Sequence, residues 1–89
     1  MRKLLYLFLI LHTLSLSSQS DSAVSYYESG NSKFESRDFD GAIADYTKAI
    51  EISSDYADAY YRRGNAKSSL EYYQSSAIAD YTKAIEISS

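Results

Sequence analysis

Apolar and small residues recur at Ala23, Tyr26, Tyr27, Gly30 and Phe34, the spacing of one helix face over residues 22–36. Asp21 or Ser22 is placed to cap its start by accepting an orphan backbone N–H. Polar residues break the pattern at Ser36, Arg37 and Asp38, and Asp38 and Asp40 flank this turn as capping residues. A second helix is predicted from about Asp40, with Ala42, Ile43, Tyr46, Ala49, Ile50 and Ser53 along one side. Asp45, Lys48 and Glu51 fall on the opposite side, facing solvent, at spacings that allow weak opposite-charge pairs. Ser54 and Asp55 are expected to end this helix and cap the next.

The pattern then repeats. Residues 42–54 and 77–89 carry the same thirteen letters, AIADYTKAIEISS, which marks an internal duplication. Ala57, Tyr60, Tyr61 and Gly64 match Ala23, Tyr26, Tyr27 and Gly30 at a shift of 34 residues, whereas the second helix returns at a shift of 35. One extra residue therefore sits in the turn around residues 71–74. A turn absorbs such an insertion, while inside a helix it would rotate the apolar face by about 100°.

A helix–turn–helix unit of this length resembles the tetratricopeptide repeat family. Tyr26 and Tyr60 stand at the family's bulky aromatic place, and Gly30 and Gly64 at the small place where paired helices approach. Ala42 and Ala77, Tyr46 and Tyr81, and Ala49 and Ala84 fill the small, aromatic and small places of the second helix. The family's usual leucine before the glycine is Ser29 in one repeat and Arg63 in the other, and its closing proline is Ser54 and Ser89; these departures are expected to weaken packing and helix termination. The resemblance implies an all-α fold of two antiparallel helix–turn–helix repeats, about residues 23–56 and 57–89, forming a short right-handed solenoid segment.

Ahead of the repeats, Arg2 and Lys3 precede a run over residues 4–11 whose one polar group is the Tyr6 hydroxyl, fading into the small, polar residues 17–20. A basic start, a short apolar centre and a small-residue tail read as a secretory signal peptide over residues 1–20, cleaved after Ser20, leaving residues 21–89. The apolar centre falls short of the roughly 20 residues needed to span a bilayer core. The predicted location is secreted or periplasmic; an uncleaved amino-terminal membrane anchor is the alternative.

Composition removes several function classes. Cysteine is absent and the one histidine, His12, lies in the amino-terminal run, so disulfides, thiol nucleophiles and zinc thiolate sites are excluded. After cleavage seven basic residues face twelve acidic ones, a net charge of −5 that speaks against nucleic-acid binding. The carboxylates fall one per turn on outward helix faces, with no paired acid and base and no glycine-rich phosphate loop, so no catalytic residue, metal site or cofactor is expected. Arg62, Arg63 and Lys67 form the one basic cluster, expected as a solvated face beside Asp58 and Glu71.

By resemblance, the first helix of each pair lines a groove that binds a protein or peptide. That face would carry Tyr27, Asn31 and Phe34 from the first repeat and Tyr61, Arg62, Asn65 and Ser68 from the second. Asparagine amides pair with peptide backbone, tyrosines supply flat apolar area at low entropy cost, and Arg62 can fork onto a carboxylate. Ordinary helix packing is the competing role for Tyr27 and Tyr61. Some family members clamp a chaperone tail's carboxylate, but Tyr27 and Asp58 stand where that clamp has lysines, so it is not expected here. Solenoid repeats bury their faces on their neighbours. Two repeats with no polar capping helix should leave part of the face formed by Ala77, Ile78, Tyr81, Ala84, Ile85 and Ile87 exposed, implying the front of a longer repeat protein, self-association through that helix, or dependence on a partner. The amino-terminal reading is checked directly: amino-terminal sequencing of the exported protein should not recover Met1, and its recovery would leave an uncleaved anchor.

Overall fold

The computed structural model describes residues 20–89, so the expected signal peptide at residues 1–20 lies, but for Ser20, outside the described residues. Four helices follow in order: α1 (Asp21–Glu35), α2 (Phe39–Ile52), α3 (Ala57–Ser68) and α4 (Gln74–Ser88), with a 3-10 turn at Glu71–Tyr73 before α4. α1 packs along α2 and α3 along α4, while α2 also packs on α3, so α2 is covered from two sides. The result is the expected all-α pair of helical repeats.

The ends of the helices show where sequence reasoning held and where packing overrode it. Asp38 caps α2, its carboxylate accepting from the Gly41 N–H at 3.0 Å, and Asp40 sits in the first turn, where the helix dipole favours an anion. The start of α1 is capped by Ser20, whose Oγ accepts from the Ala23 N–H at 3.2 Å, rather than by Asp21 or Ser22. Neither Ser54 nor Asp55 caps α3. Tyr56 occupies that place without a side-chain capping bond, because its ring is needed in the core, where it is 5% exposed. Burying an aromatic ring contributes about 2 kcal/mol or more, against about 1 kcal/mol for a cap.

The turns inside the two helix pairs differ as the insertion requires. In the first, Arg37 takes a left-handed conformation (φ 67°), the Arg37 N–H donates to the Phe34 carbonyl at 2.9 Å, and the Asp38 N–H donates to the Lys33 carbonyl at 2.8 Å. That is the Schellman arrangement, with an arginine where glycine would avoid a cost of about 1–2 kcal/mol. The Arg37 guanidinium sits 5.5 Å from the centre of the Phe39 ring, which packs edge-on against Phe34 at 5.3 Å. In the second turn, Leu70 is extended (φ −117°, ψ 120°) and the 3-10 turn takes up the added residue before α4 begins.

Each repeat is closed by the same three-part contact. Tyr46 is fully buried, its ring lies over Gly30, and its hydroxyl donates to Asn31 Oδ1 at 2.6 Å. Tyr81 lies over Gly64 in the same way and donates to Asn65 Oδ1 at 2.7 Å. A Cβ on Gly30 would meet Tyr46 Cε1 at 2.6 Å, and one on Gly64 would meet Tyr81 Cε1 at 2.7 Å. Alanine gains about 1 kcal/mol of helix propensity over glycine, but a collision with a ring fixed in a core costs about 1–3 kcal/mol. Tyr81 is only half-buried and has room to shift, whereas Tyr46 has none. Thermal unfolding should therefore show Gly30→Ala clearly destabilising and Gly64→Ala nearer neutral; equal effects would mean the ring contact does not set helix spacing.

Candidate functional site

The polar faces between paired helices are more engaged than the sequence suggested. Asp80, expected on an outward face, is 5% exposed. Arg63 meets it with two parallel bonds, Nε to Oδ2 at 2.8 Å and Nη2 to Oδ1 at 2.7 Å, and Lys67 Nζ lies 2.9 Å from Oδ2. Burial alone would push the Asp80 carboxyl up, but the hydrogen bonds and charges of Arg63 and Lys67 outweigh it and hold it below the usual carboxylate range. The Arg63 guanidinium also donates to Thr47 Oγ1 at 3.1 Å, so one side chain ties α3 to both α2 and α4. Arg63 at the leucine place therefore substitutes a charge network for packing rather than loosening the repeat.

The same network exists in reduced form in the first repeat. Asp45, also expected in solvent, has a side chain only 13% exposed; it pairs with Lys33 at 3.0 Å and accepts from Ser29 Oγ at 2.6 Å. Lys33 and Asp45 are the counterparts of Lys67 and Asp80, and Ser29 is that of Arg63. Lys48 and Glu51 form the weak surface pair expected of them, at 3.7 Å with both exposed. Of the expected solvated basic cluster, Arg62 alone remains exposed. The helix crossing places the aspartate before each core tyrosine opposite the paired helix, which no single-helix pattern reveals.

The residues proposed for a groove separate into two groups. Tyr27 is half-buried between the two core clusters, with ring centres 5.9 Å from Tyr46 and 5.0 Å from Tyr56. Phe34 packs at the first turn. Asn31 and Asn65 each give their carbonyl oxygen to a tyrosine hydroxyl, which leaves their NH2 groups as donors. Ser68 is exposed, its Oγ donating to the Asn65 carbonyl at 2.9 Å. Arg62 is exposed, and so is Tyr61, with 52% of its surface free. The structure brings Tyr61 and Asn65 together with Ala57, Asp58, Tyr81, Ala84, Ile85, Ser88 and Ser89 around an open pocket of 730 Å³. Four of those nine residues lie on α4, which the sequence pattern assigned to packing, and Ser89 caps it; the signal for this was the exposed apolar face foreseen on the last helix. Ile78 and Ile85 are 65% and 68% exposed, whereas Ala77 and Ala84 are buried against α3.

Two models of one family match the chain, described as TPR repeat over residues 30–70 and as tetratricopeptide repeat over residues 57–89. The chain belongs to the tetratricopeptide repeat family. No curated protein matches the sequence. Tetratricopeptide repeats generally serve as protein-interaction modules and are typically non-catalytic. Among the described residues no helix is long and apolar enough to cross a membrane, and no three or more His, Cys, Asp or Glu residues cluster as a metal site would need.

The electrostatics give a pH signature. A depressed carboxyl stabilises the fold above its unfolded value, about 3.9, and that contribution is lost as pH falls through the lower folded value. Burial pushes the Tyr46 phenol up to about 12, so its contribution holds below about pH 10 and fades as pH rises toward 12. Stability should therefore fall below about pH 4 and again above about pH 10. Asp80→Asn should lose about 3 kcal/mol at neutral pH, since two cations lose their partner, and should flatten the acid limb; chemical denaturation across pH checks both, and an unchanged acid limb would place the titration elsewhere.

Proposed function

We propose that the protein is an exported, non-catalytic module that binds a protein or peptide partner through its tetratricopeptide repeats. The amino-terminal run with its basic start and small-residue tail supports export, to the periplasm or outside the cell, and family membership supports the interaction role. The carrying observation is the exposed Tyr61 ring, which shares one open pocket with Asn65 and the apolar side chains of α4. An aromatic with free surface beside a spare amide donor and an apolar floor is the combination that anchors a peptide: area from the ring, register from the amide. Arg62 stands beside Tyr61, exposed and able to meet an acidic group. Tyr27, Asn31 and Phe34 support the groove from behind through the packing and hydrogen bonds described above. The competing reading is a structural or assembly segment of a longer exported repeat protein, in which α4 serves to carry further repeats; the exposure of Ile78 and Ile85 favours it.

Peptides selected from a displayed random library against residues 21–89 discriminate the two. Their affinity should fall about tenfold or more on Tyr61→Ala, a truncation that leaves the buried core untouched. Selected peptides that bind the variant as well as the parent, or a library that yields none, would favour the structural reading.

A further inference from the structure

The internal ion pairs leave the two sides of α1 and α3 unlike each other. Lys33, Arg63 and Lys67 turn to the seams between paired helices, where Asp45 and Asp80 take up their charge. On the other side, helical spacing sets Glu28, Asn31 and Glu35 in one row on α1, and Asp58, Arg62 and Asn65 in a matching row on α3. The rows approach where Ala23 of α1 joins Tyr56 and Ala59 in one buried cluster. The Tyr56 phenol, pushed up by burial first and then by Tyr27, Asp58 and Glu28, feels a carboxylate from each row. Glu28, Glu35, Asp58 and Arg62 are exposed, and among the described residues none of them enters an ion pair. Glu35 stands in the last turn of α1, where the helix dipole favours a cation, so the fold gains nothing from its charge. The carboxylates are spread along the face rather than gathered as a metal site would need.

We infer that the partner held along these faces of α1 and α3 is an extended, lysine- or arginine-bearing segment of another protein. Its cations meet Glu28, Glu35 and Asp58, and its backbone carbonyls accept from the amides of Asn31 and Asn65. Resting on the reading of the chain as an interaction module, this names the charge of its partner. Both asparagines have given their carbonyl oxygens to Tyr46 and Tyr81, so they offer donors alone, which suits backbone carbonyls. Unpaired carboxylates beside them make the face complementary to a cationic chain, and Arg62 is the one charge that opposes it. A second copy of this chain does not supply such a segment. Among the described residues its exposed cations outside ion pairs, Arg37, Arg62 and Lys83, lie on three separate elements.

A synthetic peptide alternating lysine with threonine, which favours an extended chain, is the probe, with glutamate and glutamine versions beside it. At low salt the lysine peptide should bind with a dissociation constant on the order of 0.1 mM and shift the NMR signals of the Asn31 and Asn65 side-chain amides. The double change Glu28→Gln with Glu35→Gln, at exposed positions that keep helix propensity, should weaken it about fivefold. Glu71→Gln with Glu86→Gln alters net charge equally but lies off this face, and should leave the affinity unchanged. Arg62→Gln should tighten binding severalfold. The proposal is overturned by absence of binding up to about 1 mM, or by glutamate or glutamine peptides that bind as well as lysine. Equal weakening by the two double changes would also overturn it, since attraction to the whole charge, not to this face, would then hold the peptide. Library peptides that depend on Tyr61 yet carry no cation would overturn this inference and leave the broader function standing.

Discussion

The fold depends on a tyrosine ring laid on a glycine. At Gly30 and Gly64 the backbone of one helix is bare, and the ring of Tyr46 or Tyr81 from the paired helix closes to a distance that a Cβ would not permit. The hydroxyl then reaches the next residue's side chain, Asn31 or Asn65, so each ring is held flat at one end and hydrogen-bonded at the other. That contact sets the spacing of both helix pairs, and it fixes which residues come opposite one another. Asp45 meets Ser29 and Lys33, and Asp80 meets Arg63 and Lys67, because each aspartate directly precedes the ring.

The polar network then differentiates two otherwise similar units. Where the first repeat has a serine, the second has Arg63, and that one change converts a short hydroxyl contact into a two-pronged ion pair that also reaches Thr47 on α2. A buried charge cluster adds little net stability over an apolar packing of the same shape, but breaking it is costly. Its consequence is orientation: α4 is held to α3 by charge as well as by Ala77, Tyr81 and Ala84, while Ile78 and Ile85 stay turned outward. The binding surface proposed for this protein is thus a face that no described helix covers.

Much of this was legible along the chain. The three-and-four spacing located all four helices, the mismatch of 34 and 35 residues located the altered turn, and Asp38 declared itself as a cap. What was not legible depended on partners distant in sequence. Ser54 and Asp55 are good capping residues by type, yet Tyr56 took the place because the core needed its ring. Asp45 and Asp80 read as solvent-facing because their own helices are amphipathic; only the crossing of a second helix brings a cation over them. Asn31 and Asn65 read as peptide-binding amides, and half of each amide is spent on a tyrosine hydroxyl.

The thirteen repeated residues separate the two levels. The sequence alone determined that both copies form a helix with Ala, Tyr and Ala on one side, since helix geometry follows from local spacing, and both do so. It could not determine what that helix does. Ile50 is 9% exposed and Ile85 68%, Tyr46 is fully buried and Tyr81 half-buried, with identical residues on either side of each. The difference is α3: it packs on the outer face of the first copy and brings Tyr56 to fill it, and no described helix lies on the second. Burial belongs to the arrangement of neighbours, and so the same letters make a core in one place and an open pocket in the other.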